Sequence, residues 1–455
     1  MNEILEKSKF YSYDIIYENE KKYLYNIITS GIFTLDNTAC NILENNVDEK
    51  INNEEYKETL KFMKENFIIQ TDENDVKLKE LYDKIASNKK EMNASSLVLM
   101  VTQDCNLRCT YCYGVNGVYN HKGVMDENTA KEAIDYFIKY SSDEKLNICF
   151  FGGEPLLNFK LIKKLVEYAK VLEKKNNKRI GFSMTTNGTL INKEIEEFII
   201  QNRIYTTISI DGDKEIQNSN RFYDNKKGCY DQVIKNTEQL RKTNLLTARA
   251  TISPKNSDIL HNVDHLIDIG FKKVAWAPAL NLLNDEDMEN IVEGQKEVIL
   301  KVEKCIKEGD FDRAKKYLTV IDMLNKVKSD GLRTKGCGSG TNIMAVNIEG
   351  NIYPCHRFVG NEFMRLGNIR NDIPCENDSF YLNVGLKEFE KCATCLSRNI
   401  CAGGCINENF EMNQDIRIPP EKLCKSNKEI AREIIKLYIR LDNEQKEKLF
   451  GKKNF

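Results

Sequence analysis

Six short apolar runs recur between residues 97 and 276: Leu97–Val101, Leu146–Phe151, Ile180–Met184, Tyr205–Ile210, Ala248–Ile252 and Val274–Trp276. Amphipathic stretches such as TAKEAIDYFIKY, FKLIKKLVEYAKVLEK and NKEIEEFIIQN lie between them. Strands that alternate with helices pair in parallel, because each helix carries the chain back across the sheet. Six repeats suit a partial (β/α)6 barrel better than the closed eight-stranded form. The expected fold class is therefore α/β, with chemistry at the C-terminal ends of the strands.

At 455 residues the chain has room for further domains. In residues 10–70, YDIIYENEKKYLYNIITSGIFTL alternates and carries turn-like ENEK and TSG, which predicts two or three short strands. DNTACNILENN starts a helix with Asp36 as N-cap, and EEYKETLKFMKENF sets Tyr56, Leu60, Met63 and Phe67 at helical spacing on a core face. Strands followed by helices give a winged-helix-like unit. The polar segment 83–96 reads as a linker, and from about residue 284 the chain turns helical. With 67 basic and 69 acidic residues, a general nucleic-acid binder is not expected. No apolar run is long enough to span a membrane, and MNEILEKSKFYSYD lacks the pattern of a signal peptide. A cytoplasmic location is expected. There, fifteen cysteines bind metal or catalyse more often than they form disulfides.

The strand ends carry the chemistry. After the first comes VTQDCNLRCTYCYG, in which Cys105, Cys109 and Cys112 form C-x3-C-x2-C. Three thiolates leave one iron of a cubane open to another ligand. A zinc site would take a fourth ligand from elsewhere, for example His121. The spacing alone allows both. The next three strands end in ICFFGGEP, MTTNGTL and TISIDG. Gly152 and Gly153 free the backbone for close approach to a small molecule, and Glu154 adds a carboxylate.

CNLRCTYCYG, FGGEP, TNGTL and SIDG, in this order and spacing, resemble the radical S-adenosylmethionine (SAM) enzymes over residues 97 to 280. The resemblance implies that Cys105, Cys109 and Cys112 hold a [4Fe–4S] cluster whose open iron binds SAM. Gly152, Gly153 and Glu154 would contact the methionyl amino group, and Tyr111 would lie near the adenine. Thr186, Asn187 and Ser209 would line the methionyl and ribose pocket, and Arg221 would pair with the methionyl carboxylate. One-electron cleavage of SAM would give a 5′-deoxyadenosyl radical, with the protein orienting it. Cys337, Cys355, Cys392, Cys395, Cys401, Cys405 and Cys424 resemble the SPASM domain, which holds two auxiliary clusters. Carried over, Cys392, Cys395, Cys401 and Cys424 close one. Cys337, Cys355 and Cys405 hold the other, either closed by Cys375 or left with an open iron. Three [4Fe–4S] clusters are implied in all. Cys40, Cys149, Cys229 and Cys305 read as structural.

YLYNIITSGIFTLDNTACNILENN resembles in pattern a precursor-peptide recognition element, which binds a leader peptide as an added strand. The implied layout is a winged-helix-like recognition unit (1–85), linker (86–96), radical SAM partial barrel (97–285), helical bridge (286–330), SPASM domain (331–430) and C-terminal helix (431–455). The implied function is maturation of a ribosomal, cysteine-rich precursor peptide by thioether crosslinks, like the SCIFF/ranthipeptide or sactipeptide maturases. A flavodoxin or ferredoxin would supply electrons; neither nucleic acid nor membrane is an expected partner. The rivals are a formylglycine-forming sulfatase maturase, a carbon–carbon crosslinking enzyme and a non-catalytic iron–sulfur redox protein.

Overall fold

The computed structural model describes residues 10–45, 53–87, 93–328, 332–371, 386 and 389–451. The N-terminal unit is an antiparallel sheet of β1 (Tyr13–Glu18), β2 (Lys21–Asn26) and β3 (Ile32–Leu35), in that order. Glu18 pairs with Lys21, so Asn19 and Glu20 form a two-residue turn, both at positive φ. That conformation matches the twist of the flanking strands. Helices α1 (Asn37–Asn45), α2 (Glu54–Glu65) and α3 (Asp72–Ser87) follow. The Asp36 carboxylate accepts from the Ala39 amide at 2.7 Å, as an N-cap should. Tyr56, Leu60 and Met63 of α2 close a small core with Leu24, Ile42, Ile68 and Ile69. No Gly or Pro interrupts the chain from Leu78 to Ser87, so α3 extends into the segment read as linker.

Six parallel strands follow: β4 (Ser96–Gln103), β5 (Lys145–Gly152), β6 (Arg179–Thr186), β7 (Tyr205–Ser209), β8 (Leu246–Ile252) and β9 (Val274–Pro278). Between them run α4 (Glu127–Tyr140), α5 (Phe159–Lys175), α6 (Lys193–Gln201), α7 (Lys214–Asn220), α8 (Tyr230–Asn236) and α9 (Ile259–Asp268). Each strand lies beside its predecessor. The bridging helices are α10 (Asp285–Lys307), α11 (Phe311–Ala314) and α12 (Leu318–Lys328).

The cysteine-rich segment joins the same sheet. Its strand β10 (Ile343–Val346) pairs in parallel with β4, Ile343 opposite Ser96 and Val346 opposite Leu99. Antiparallel β11 (Asn351–Tyr353) and β12 (Gly367–Asn368) extend it. The sheet is thus mixed, in the order β9-β8-β7-β6-β5-β4-β10-β11-β12. Leu97 to Gln103 of β4 are all buried, as a strand between neighbours on both sides requires. Four helices end the chain: α13 (Arg398–Cys401), α14 (Ile406–Asn413), α15 (Glu421–Arg440) and α16 (Asn443–Phe450). Arg432 and Arg440 of α15 bond Asp14 at 2.7 Å and Glu18 at 3.0 Å, tying β1 to the main body. Among the described residues, no helix is long and apolar enough to cross a membrane.

Candidate active site

The loop after β4 brings Cys105, Cys109 and Cys112 to the rim of one cavity of about 580 Å³. The loop after β5 meets it backbone to backbone. The Gly153 amide donates to the Thr102 carbonyl at 3.1 Å, and the Glu154 amide to the Asp104 carbonyl at 2.8 Å. A Cβ on Gly153 would stand 2.2 Å from the Asp104 carbonyl oxygen and 2.6 Å from that of Gly117. Gly152, at φ +146°, has the Thr102 carbonyl oxygen 2.1 Å from where a Cβ would be. Both positions therefore require glycine. Burial pushes the Cys105 thiol up to about 12 and the Cys109 thiol up to about 11. A cation is what would deprotonate them. Donors already face the sulfurs: the Leu107 amide at 3.4 Å from Cys105 Sγ and Arg221 Nη1 at 3.8 Å from Cys109 Sγ.

Two buried carboxylates organise the rim. Glu154 is fully buried beneath it and is not a lining residue. Its oxygens accept from the Thr186 hydroxyl (2.6 Å), the Asn187 amide (2.8 Å) and the Leu156 amide (3.1 Å). Burial outweighs these bonds and raises its pKa to about 7. Glu154 thus clamps the β5 loop to the end of β6. Asp211, the aspartate of SIDG, is the second. It accepts from Arg221 Nε and Nη2, both at 3.2 Å, from the Thr251 amide at 3.0 Å, and from the Tyr111 hydroxyl. The Arg221 guanidinium lies 5.1 Å from the centre of the Tyr111 ring. Arg221 is therefore buried and paired, and the Asp211 charge holds its pKa up against the burial that lowers it.

Of the SAM-pocket residues expected from sequence, Tyr111, Gly152, Gly153, Thr186, Asn187, Ser209 and Arg221 line the cavity. Alternate residues of the later strands join them: Thr207 of β7, Thr247, Arg249 and Thr251 of β8, Ala275 and Ala277 of β9. Another wall comes from the cysteine-rich segment, through His356, Arg357, Glu408, Glu411 and Met412. Arg357 bonds Glu408 at 2.6 Å, donates to Cys405 Sγ at 3.8 Å and sits 5.0 Å from the Tyr113 ring centre. Burial lowers the His356 pKa to about 4, so its imidazole is neutral at pH 7. These residues had no sequence signal; Asp211 had one, as part of SIDG.

The remaining cysteines form two groups. Cys337, Cys355 and Cys405 lie near enough for their charges to interact. Cys392, Cys395, Cys401 and Cys424 line one smaller cavity of about 300 Å³. Cys375 lies outside the described residues. Cys229 and Cys305 are buried in the core, and Cys40 and Cys149 are partly buried. No disulfide links the described cysteines. Among the described residues, no three His, Cys, Asp or Glu side chains stand close enough to share one metal ion. His121 instead pairs with Glu349 at 2.6 Å.

An open α/β sheet with three cysteines at the C-terminal end of its first parallel strand defines a cofactor-dependent enzyme class. Residues 99–258 match the Radical SAM superfamily. A protein of Methanocaldococcus jannaschii is 36% identical over 277 residues, 60% of this chain and 88% of that one. The radical SAM cyclopropyl synthase TigE of Paramaledivibacter caminithermalis is 24% identical over 396 residues, 82% of this chain and 81% of its own. A cysteine-type anaerobic sulfatase-maturating enzyme of Clostridium novyi is 24% identical over 347 residues, 70% of this chain and 89% of its own. The solved structure of native anSMEcpe with bound AdoMet and Cp18Cys peptide superposes with a TM-score of 0.62 at 22% identity. It covers 76% of this chain and 97% of that one. The chain belongs to the radical SAM superfamily and is an enzyme.

Proposed function

We propose that the enzyme installs crosslinks, thioethers between a cysteine sulfur and a carbon, in a ribosomally made, cysteine-rich precursor peptide. The observation that carries this reading is one cavity shared by the cysteine loop after β4 and the cysteine-rich segment. Cys105, Cys109 and Cys112 line it, and so does Arg357, which contacts Cys405 and the ring of Tyr113. A peptide lying in it would meet both. The N-terminal sheet of β1 to β3 adds a separate surface on which a leader could dock. The layout of recognition unit, partial barrel and SPASM domain is part of the same proposal.

The residues present fit a [4Fe–4S] cluster: three thiols line one cavity, and amide and guanidinium donors already point at two of their sulfurs. The bound cluster and SAM would supply a 5′-deoxyadenosyl radical that takes a hydrogen atom from carbon. The chain's own residues do the rest. Gly152 and Gly153 let the β5 loop close on the cysteine loop. Glu154 fixes Thr186 and Asn187 at the rim, and Asp211 orients Tyr111 and Arg221. The neutral His356 and the Thr247 and Thr251 hydroxyls form polar walls for substrate. The Cys337/Cys355/Cys405 and Cys392/Cys395/Cys401/Cys424 groups would hold auxiliary clusters, refilled by a flavodoxin or ferredoxin.

The test is incubation of the reconstituted, reduced enzyme with SAM and a candidate cysteine-rich precursor peptide. The expected product is lighter by two hydrogens per crosslink. Unchanged peptide mass with 5′-deoxyadenosine still formed would sink the crosslinking reading. The similarity to the Clostridium novyi enzyme favours formylglycine formation as the second reading. In that case a cysteine loses its sulfur, so the same mass measurement separates the two.

A further inference from the structure

Among the described residues, one cation lining the cavity enters no ion pair. Three arginines line it, Arg221, Arg249 and Arg357. Arg221 is matched by Asp211 at 3.2 Å, and Arg357 by Glu408 at 2.6 Å and Glu411 at 3.8 Å. Arg249 enters no ion pair among the described residues. It makes one hydrogen bond, from Nη1 to the Trp276 carbonyl at 3.3 Å. It stands mid-strand in β8, opposite Ser209 of β7 and Ala275 of β9. Protein atoms crowd round it, yet its side chain keeps open surface, and that surface lines the cavity.

A guanidinium has five N–H donors in a planar fork. Beyond its bond to the Trp276 carbonyl, Arg249 has donors to spare, and its neighbours on that wall are neutral: Thr207, Ser209, Thr247 and Thr251. Glu408 is near enough to favour its charge but is committed to Arg357. A carboxylate in the cavity would pair with its charge and take two parallel hydrogen bonds.

We infer that Arg249 is the carboxylate-binding residue of the substrate cavity, gripping an Asp or Glu side chain or a free C-terminus of the peptide in a two-point fork. This rests on the peptide-modifying reading. It sets specificity: substrates with a carboxylate at fixed reach from the reacting carbon are held, and their amide counterparts are not. The carboxylate of SAM is the other source of the same chemistry, and the test separates the two.

The first arm uses the wild-type holoenzyme. Phenylglyoxal labelling of Arg249 is followed by mass mapping, alone and with SAM, N-acetyl-aspartate N-methylamide, N-acetylglycine, or the isosteric N-acetyl-asparagine N-methylamide. In the presence of SAM, a carboxylate probe at about four times its dissociation constant should slow labelling about five-fold, and the asparagine probe should not. No protection by either carboxylate, or equal protection by the amide, overturns the inference. So does full protection by SAM alone, which assigns the carboxylate to the cofactor. The second arm uses the modified peptide. Arg249→Gln should raise KM about 30-fold or more, with a smaller change in kcat, and Arg249→Lys should recover part. A fall in kcat with KM unchanged overturns the assignment. If the wild-type enzyme modifies no peptide, the maturase reading fails, while the labelling result still decides the carboxylate site.

Discussion

Glu154 shows how one side chain trades stability for a preorganised rim. Its folded pKa of about 7 lies above the ordinary carboxylate value of 4.5, so the native state favours the protonated form. The stability this contributes is complete below about pH 4.5 and is lost as pH rises through about 7. Thermal unfolding of the metal-free protein should therefore show a loss on the order of 2 kcal/mol across that window. Glu154→Gln, which keeps an acceptor for Thr186 and Leu156 without the charge, should flatten it. An unchanged slope in the variant would mean that other groups carry the dependence. Asp211 differs in having an ion-pair partner, Arg221 at 3.2 Å.

At the scale of elements, the β4 and β5 loops meet backbone to backbone. Gly153→Ala would drive a methyl group into two backbone carbonyls, which cannot step aside as side chains do. The expected outcome is loss of SAM binding by at least about 10-fold, with the far-UV spectrum of the sheet and helices kept. Wild-type binding in that variant would show that the loops can separate freely. The strands around this joint were legible because six apolar runs separated by amphipathic stretches leave few alternatives. β10, β11 and β12 were not: two to four residues are too few to show a period, and their pairing with β4 is set by tertiary contact. The same holds at the site. C-x3-C-x2-C, GGEP and SIDG are local signals. The TARATI segment of β8 reads as ordinary alternation, and only the wrapping of the sheet turns Arg249 towards a cavity. Arg357, Glu408 and Glu411 arrive from more than a hundred residues away.

Across the whole molecule, Asn399 joins the N-terminal unit to the cysteine-rich segment. Its buried Nδ2 donates to the Ile27 carbonyl at 2.9 Å, the Ile28 carbonyl at 3.0 Å and the Ser30 hydroxyl at 2.8 Å. Asn399→Ala would strand those acceptors at a cost of about 1–3 kcal/mol. Hydrogen exchange should then quicken in β1 to β3 and around α13, while β4 to β9 keep their protection. Uniform quickening would mean that the contact supports the entire fold rather than the docking of one unit. Pairing of β10 with β4, Ile343 with Ser96, reaches across 247 residues of chain. On the ribosome, β4 emerges early with one flank unmatched. Its partner on that side is not yet made when the six parallel strands are complete. The segment SLVL would then present a bare apolar edge to other nascent chains. Fragments that stop before residue 343 should clump during expression, and a chaperone waiting at that edge would raise the yield of the full chain.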